Sequence, residues 1–246
     1  MDRRLAGYRA VLFDLDGVLT DTASIHSDCW KQMFDEYLRE RADSTGEPFV
    51  EFDIAGDYHS YLDGKPRYDG VRSFLASRNI ELPDGDPSDP PGTTTVCALG
   101  NRKNVLVNEV LARDGVEPYP GSMRLLDELG AAGVHMAVVS SSKNAPTVLA
   151  AAGITERFET VVDGAVAAES GLPGKPAPDT FLDAARRLGV SREEAVVVED
   201  AISGVEAGRN GEFGLVIGVA RADNVSVLTA AGADLVVTDL GELADP

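Results

Sequence analysis

A doubly wound parallel α/β sheet interrupted by an all-helical unit is the fold class that the sequence predicts. Three observations predict it. Six short runs are apolar throughout instead of alternating, as strands covered on both faces are. Helical patterns separate the later runs, the βαβ rhythm of a parallel sheet. Between the first and second runs, from about residue 23 to 117, that rhythm stops and no buried-strand pattern is present.

The first run is "RAVLF" at 9–13. "ASIHSDCWKQMFDEYLRER" at 23–41 then reads as a long amphipathic helix, followed by helices over 69–79 and 104–115. "LPDGDPSDPPGTTT" at 82–95, rich in Pro, Gly and Asp, reads as a loop. "EPYPG" at 117–121 marks the return to the sheet. The remaining strands are expected at 134–139, 159–163, 194–199, 215–220 and 234–239. Helices are expected at 122–133, 144–153, 179–189 and 201–211, the second opening on an Asn144 cap and ending at Gly153. The division that follows is a sheet domain of residues 1–22 and 118–246 with a helical domain of 23–117.

The chain has 246 residues, enough for a sizeable core, and 43% hydrophobic with 26% charged residues is an ordinary globular composition. A formal net charge of -19 argues against nonspecific binding to nucleic acid or to an anionic membrane. The apolar stretch near the N-terminus stops at Asp14, too short for a signal-peptide core or a membrane span, so a cytoplasmic protein is expected. Cys29 and Cys97 lie in no paired metal spacing and read as reduced thiols.

In open α/β sheets ligands bind beyond the carboxyl ends of the strands. The first strand ends in Asp14 and Asp16, the second in Ser140, Ser141 and Ser142, and the fourth in Glu199 and Asp200. "GKPAPD" adds Lys175, expected to be extended because proline follows it. Taken singly, these are ordinary features: Asp-x-Asp is common in turns, and a serine after a strand is commonly a cap. In conjunction they gather four carboxylates, a hydroxyl and one lysine at one sheet edge. Such a cluster needs further positive charge to stay ionised. Oxygen ligands suit a hard divalent ion, and Mg²⁺ works beside phosphate. Ser140 and helix-start N–H groups can hold phosphate oxygens, and Lys175 can neutralise both phosphate and nucleophile. Phosphoryl transfer to a carboxylate is the chemistry that fits.

"DLDGVLTDT", "VVSSSKN", "GKPAPD" and "VVVEDAISGVEAG" resemble the four motifs of the haloacid dehalogenase-like superfamily. The resemblance implies Asp14 as a nucleophile that becomes phospho-aspartate, Asp16 as general acid/base, and Ser140 and Lys175 as phosphate binders. It also implies Mg²⁺ held by Asp14, the main-chain carbonyl of Asp16, and Asp200, with Glu199 beside them. The helical insertion resembles the cap of the β-phosphoglucomutase-like group. That likeness implies Thr22 and His26 acting with the acid/base. It implies Arg67, Lys103, Ser142, Lys143 and Asn144 as contacts to a distal phosphate. Ser141 stands where the group has a small residue, and 40–62 and 82–98 are longer than its pattern. The implied activity is a mutase moving phosphate between C1 and C6 of a glucose phosphate through a bisphosphate. The alternative is a phosphatase, in which water attacks phospho-Asp14. The partner expected is a small phosphorylated sugar bound by a monomer. His59 and His135 read as ordinary packing or surface residues, and Trp30 as core of the helical domain.

Overall fold

All six expected strands form in a computed structural model that describes residues 4–221 and 224–244. They are β1 (Ala10–Phe13), β2 (His135–Val139), β3 (Thr160–Val162), β4 (Ala195–Glu199), β5 (Leu215–Val219) and β6 (Leu235–Val237). Every neighbouring pair is parallel, in the order β3-β2-β1-β4-β5-β6. Leu12 pairs with Ala137 on one side and Val197 on the other, so β1 is buried by strands on both edges. The apolar runs thus mark the strands buried on both faces. The edge strands β3 and β6 are shorter than the runs that announced them.

The chain divides into two compact units, Met1–Thr22 with Val116–Pro246, and Ala23–Gly115. The second is helical: α1 (Ala23–Thr45), the single turn α2 (His59–Tyr61), α3 (Arg67–Ser77) and α4 (Val96–Asp114). Its core is aromatic. Phe34 stacks on Trp30 and on Phe52 with ring centroids 5.4 Å apart in each pair, and Phe74 lies 4.2 Å from Phe34. Helix α4 begins eight residues earlier than expected, inside the segment read as leading out of a loop. Thr95 makes this possible, because its hydroxyl accepts from the Ala98 N–H and closes the first turn. The sequence pattern did not anticipate the π-helical turn Ile54–Tyr58, capped by Asp53.

In the sheet unit α5 (Pro120–Ala131) starts two residues early, with Pro120 in the first turn where a missing N–H costs nothing. Helix α6 (Ala145–Ala151) corrects one expectation: Asn144 occupies the cap position but its side chain makes no capping bond. Its φ of -92° and ψ of 1° are not the extended backbone a capping side chain needs. Two helices were not foreseen, α7 (Gly164–Glu169) and α10 (Val225–Ala231), both short. With α8 (Asp179–Arg187) and α9 (Ile202–Asn210) they complete the crossovers. Phe181, Ala184 and Ala185 of α8, Val205 and Ala207 of α9 and Leu228 of α10 pack with Leu12, Val139, Val197 and Val216 in one buried cluster. Among the described residues no helix is long and apolar enough to cross a membrane.

Candidate active site

The connections reverse direction between β1 and β4, the switch point where an open α/β sheet forms its ligand crevice. The carboxylates expected at the site stand there. Asp14 directly follows β1, its N–H bonded to the Val198 carbonyl at 2.9 Å, and Glu199 is the last residue of β4. Between them lies Lys175, 3% exposed. Its ammonium donates to Asp14 Oδ1 at 2.5 Å, to Glu199 Oε1 at 2.6 Å and to the Val139 carbonyl at 3.0 Å. The backbone around Lys175 is a turn closed by the Ala177 N–H on the Gly174 carbonyl. The Lys175–Pro176 peptide is cis.

Burial pushes the Asp14 carboxyl well up, with Glu199 and Asp16 adding to it and Lys175 opposing. Burial works against the Lys175 ammonium too, but Asp14 and Glu199 outweigh it and hold the proton on. The second oxygen of Glu199 accepts from the Ala201 N–H at 2.8 Å. Oxygens of Asp14, Glu199 and Asp200 lie within 4.8 Å of one another. Three carboxylates around one ammonium leave excess negative charge in a buried place. This all-oxygen donor set fits a hard divalent cation.

Asp16 sits in the turn after β1. The Thr22 hydroxyl donates to Asp16 Oδ1, and Thr20 and Thr22 Oγ1 are 2.9 Å apart. Gly17, at a φ of +82°, lets the chain fold back so that its N–H meets the Thr20 carbonyl. Ser140 directly follows β2, 4% exposed, and its hydroxyl accepts from the Ser142 N–H at 3.1 Å. Ser142 Oγ in turn accepts from the Asn144 N–H at 3.1 Å. Ser141, Ser142 and Asn144 are half-buried in this loop and Lys143 is exposed. Gly164 is needed beneath the loop, since a Cβ there would lie 2.6 Å from the Ser141 carbonyl oxygen.

The remaining expected residues belong to the helical unit. His26 of α1 and Lys103 of α4 meet, Nζ to Nδ1 at 2.6 Å, with the ammonium 4.9 Å from the Trp30 ring centre. An ammonium only donates, so Nδ1 accepts. Arg67, half-buried at the start of α3, donates to Asn104 Oδ1 at 2.5 Å and to Asn101 Oδ1 at 3.4 Å. Burial lowers its guanidinium below the ordinary value. No carboxylate pairs with Arg67 among the described residues. His59 bonds Asp63 and His135 bonds Glu159, both at the surface, as read.

Sequence reasoning missed Gly204 and Arg221. A Cβ on Gly204 would overlap the Glu199 carboxylate. The signal was available, as a glycine in a helix interior needs a packing reason. Arg221 carried no signal, because its partners are main-chain carbonyls.

The family model for haloacid dehalogenase-like hydrolases matches residues 8–211. The chain is 56% identical to the β-phosphoglucomutase of Mycobacterium bovis over 238 residues, covering 96% of this chain and 91% of that protein. It is 32% identical to a fructose-1-phosphate phosphatase of Escherichia coli, over 82% of this chain and 92% of that protein. Among solved structures, a β-phosphoglucomutase from Clostridium difficile superposes with a TM-score of 0.74 at 25% identity, covering 96% of this chain and 93% of that one.

Proposed function

The chain belongs to the haloacid dehalogenase-like hydrolase family. From that premise we propose that it is a Mg²⁺-dependent β-phosphoglucomutase, interconverting β-glucose 1-phosphate and glucose 6-phosphate through a bound bisphosphate. The observation that carries the chemistry is the buried Asp14–Lys175–Glu199 cluster at the switch point. The substrate rests on the 56% identity to the mycobacterial mutase.

In this reading the Asp14 carboxylate attacks the phosphorus and the bond from phosphorus to the sugar oxygen breaks. Asp16 gives its proton to the departing oxygen. In the return step a sugar hydroxyl loses its proton to Asp16 and attacks phospho-Asp14, restoring the carboxylate. Thr22 orients the Asp16 carboxyl through its hydroxyl. Lys175 stays charged and offsets the negative charge gathering beside Asp14. Asp14, Asp200, the Asp16 main-chain carbonyl and Glu199 would hold Mg²⁺, which when bound supplies charge neutralisation for phosphoryl oxygens. Ser140 and the N–H groups after it are assigned to the transferred phosphate.

A mutase must also grip the second phosphate of its bisphosphate. Arg67 is our choice for that grip, with Lys103, Ser142, Lys143 and Asn144 as further contacts, while His26 is assigned with Thr22 to the acid/base. What supports Arg67 is a planar guanidinium held by amide oxygens, with its charge left for an anion. Arg67→Ala should lower kcat/KM for glucose 1-phosphate at least about tenfold, as the loss of a charge-assisted hydrogen bond implies. Turnover of a small aryl phosphate should stay unchanged. If both substrates fall together, Arg67 supports the helical unit and does not bind phosphate.

A second reading is a sugar-phosphate phosphatase, favoured by the 32% identity to the Escherichia coli phosphatase. Incubation with β-glucose 1-phosphate, Mg²⁺ and a trace of the 1,6-bisphosphate separates the two. Glucose 6-phosphate as product establishes the mutase; free phosphate overturns it. Asp14→Asn should abolish either reaction.

A further inference from the structure

Side chains from elsewhere in the sheet unit hold the turn that carries Asp16: the Ser122 hydroxyl donates to the Val18 carbonyl at 2.7 Å, and Arg221 reaches both Gly17 and Val18. Arg221 follows β5, and its Nε donates to the Gly17 carbonyl at 2.6 Å. Its Nη2 donates to the Val18 carbonyl at 3.2 Å. Nη1 reaches the Thr238 carbonyl at 3.4 Å. Among the described residues its ion pair is with Asp239, Nη1 to Oδ2 at 3.6 Å, and the other oxygen of that carboxylate accepts from the Gly241 N–H at 2.7 Å. The guanidinium therefore spends its best donors on the two peptide carbonyls next after Asp16. Gly17 and Val18 are buried, and buried carbonyls require donors. The plane of the guanidinium lies over the Tyr119 ring, 3.6 Å from its centre. Tyr119 fixes the same region from below: its N–H meets the Leu19 carbonyl at 3.0 Å and its hydroxyl meets Asp21 Oδ1 at 2.8 Å.

From this geometry we propose that Arg221 is a positioning residue for the acid/base step, clamping the Gly17–Val18 peptides so that the Thr20–Thr22 hydroxyls can hold the Asp16 carboxyl. The chain of contacts is continuous. Arg221 holds the turn at residues 17 and 18, the turn holds Thr20, Thr20 meets Thr22, and Thr22 donates to Asp16. Arg221 itself touches no reacting group in this account. The clamp rests on the role proposed for Asp16, but its physical content, a held turn, does not.

The test uses the full chain with Arg221→Ala and Arg221→Lys. Amide hydrogen exchange is followed at Gly17–Thr20 and, as a control, in β4. Steady-state kinetics are measured with glucose 1-phosphate and with a small aryl phosphate. In Arg221→Ala the turn amides should exchange at least about tenfold faster while β4 is unchanged, and kcat should fall about tenfold for both substrates with KM within about twofold. Arg221→Lys should recover part of both, since an ammonium reaches one carbonyl but not two. Unchanged exchange in the turn overturns the clamp, and so does a change in KM with kcat intact. If Arg221→Ala does not fold, Arg221→Lys against wild type decides by the same readouts. If wild type turns over neither substrate, the proposed function fails, and the exchange rates still decide whether Arg221 holds the turn.

Discussion

Gly204 shows how tightly the Lys175 ammonium is boxed in. The glycine faces the Glu199 carboxylate with no room for a methyl group, and that carboxylate is one of the two that hold Lys175. Gly204→Ala should push Glu199 aside. Overpacking of this kind costs about 1–3 kcal/mol, visible as a lower urea midpoint, and turnover should fall with it although no reacting group has changed. Unaltered stability and turnover would mean that α9 can shift to accept the methyl. A weaker effect is expected at His59, whose imidazole is raised above its ordinary pKa by its bond to Asp63. A raised folded value means that the stabilisation is complete below about pH 6.5 and is lost as the pH climbs through the raised value. Since the ring is half exposed, the gain is at most a few tenths of a kcal/mol. Wild type should therefore exceed His59→Gln in urea midpoint at pH 5.5 and converge on it by pH 9. A gap that widens with pH would reverse the sign.

At the scale of elements, what was legible depended on whether a segment carries its own apolar signature. "VLF" and "VVV" cannot be anything but buried, and they became β1 and β4. Helix α7 spans only Gly164–Glu169, too short for a helical period to show in its sequence. Its start is set instead by Asp163, whose buried carboxylate accepts from the Ala165 N–H at 3.0 Å and the Val166 N–H at 2.8 Å. Asp163→Ala should cost about 1 kcal/mol, measured by urea unfolding. Because α7 lies under the Ser141 carbonyl, the loop of Ser140–Asn144 should loosen with it; a loss near zero would detach the cap from the helix. Helix α4 was half read for a related reason: its first turn follows prolines, glycine and threonines, which in a one-dimensional reading continue the loop.

For the whole molecule, the site joins residues that the sequence keeps far apart: Lys175 meets Asp14 across 161 positions. That meeting was legible only because parallel strands deliver their carboxyl ends to one edge, so the strand assignment carried the site with it. Arg221 was not legible, since contacts to main-chain atoms leave no motif. The unbalanced carboxylates also predict a linkage. Mg²⁺ should raise the thermal midpoint and excess EDTA should lower it, the gain being about 2.7 kcal/mol at a hundredfold excess over Kd. Asp200→Ala should erase most of that gain, and a midpoint indifferent to both additions would remove the cation from the cluster. The position of β1 has one further consequence. It is a central strand of the sheet, yet its neighbours begin at His135 and Ala195, beyond the whole helical unit. A ribosome adding about 5–20 residues per second exposes "AVLF" for roughly ten seconds before the first of those neighbours is made. During vectorial synthesis the helical unit can close around its aromatic rings while the future centre of the sheet waits uncovered, the segment of the nascent chain most in need of chaperone shelter.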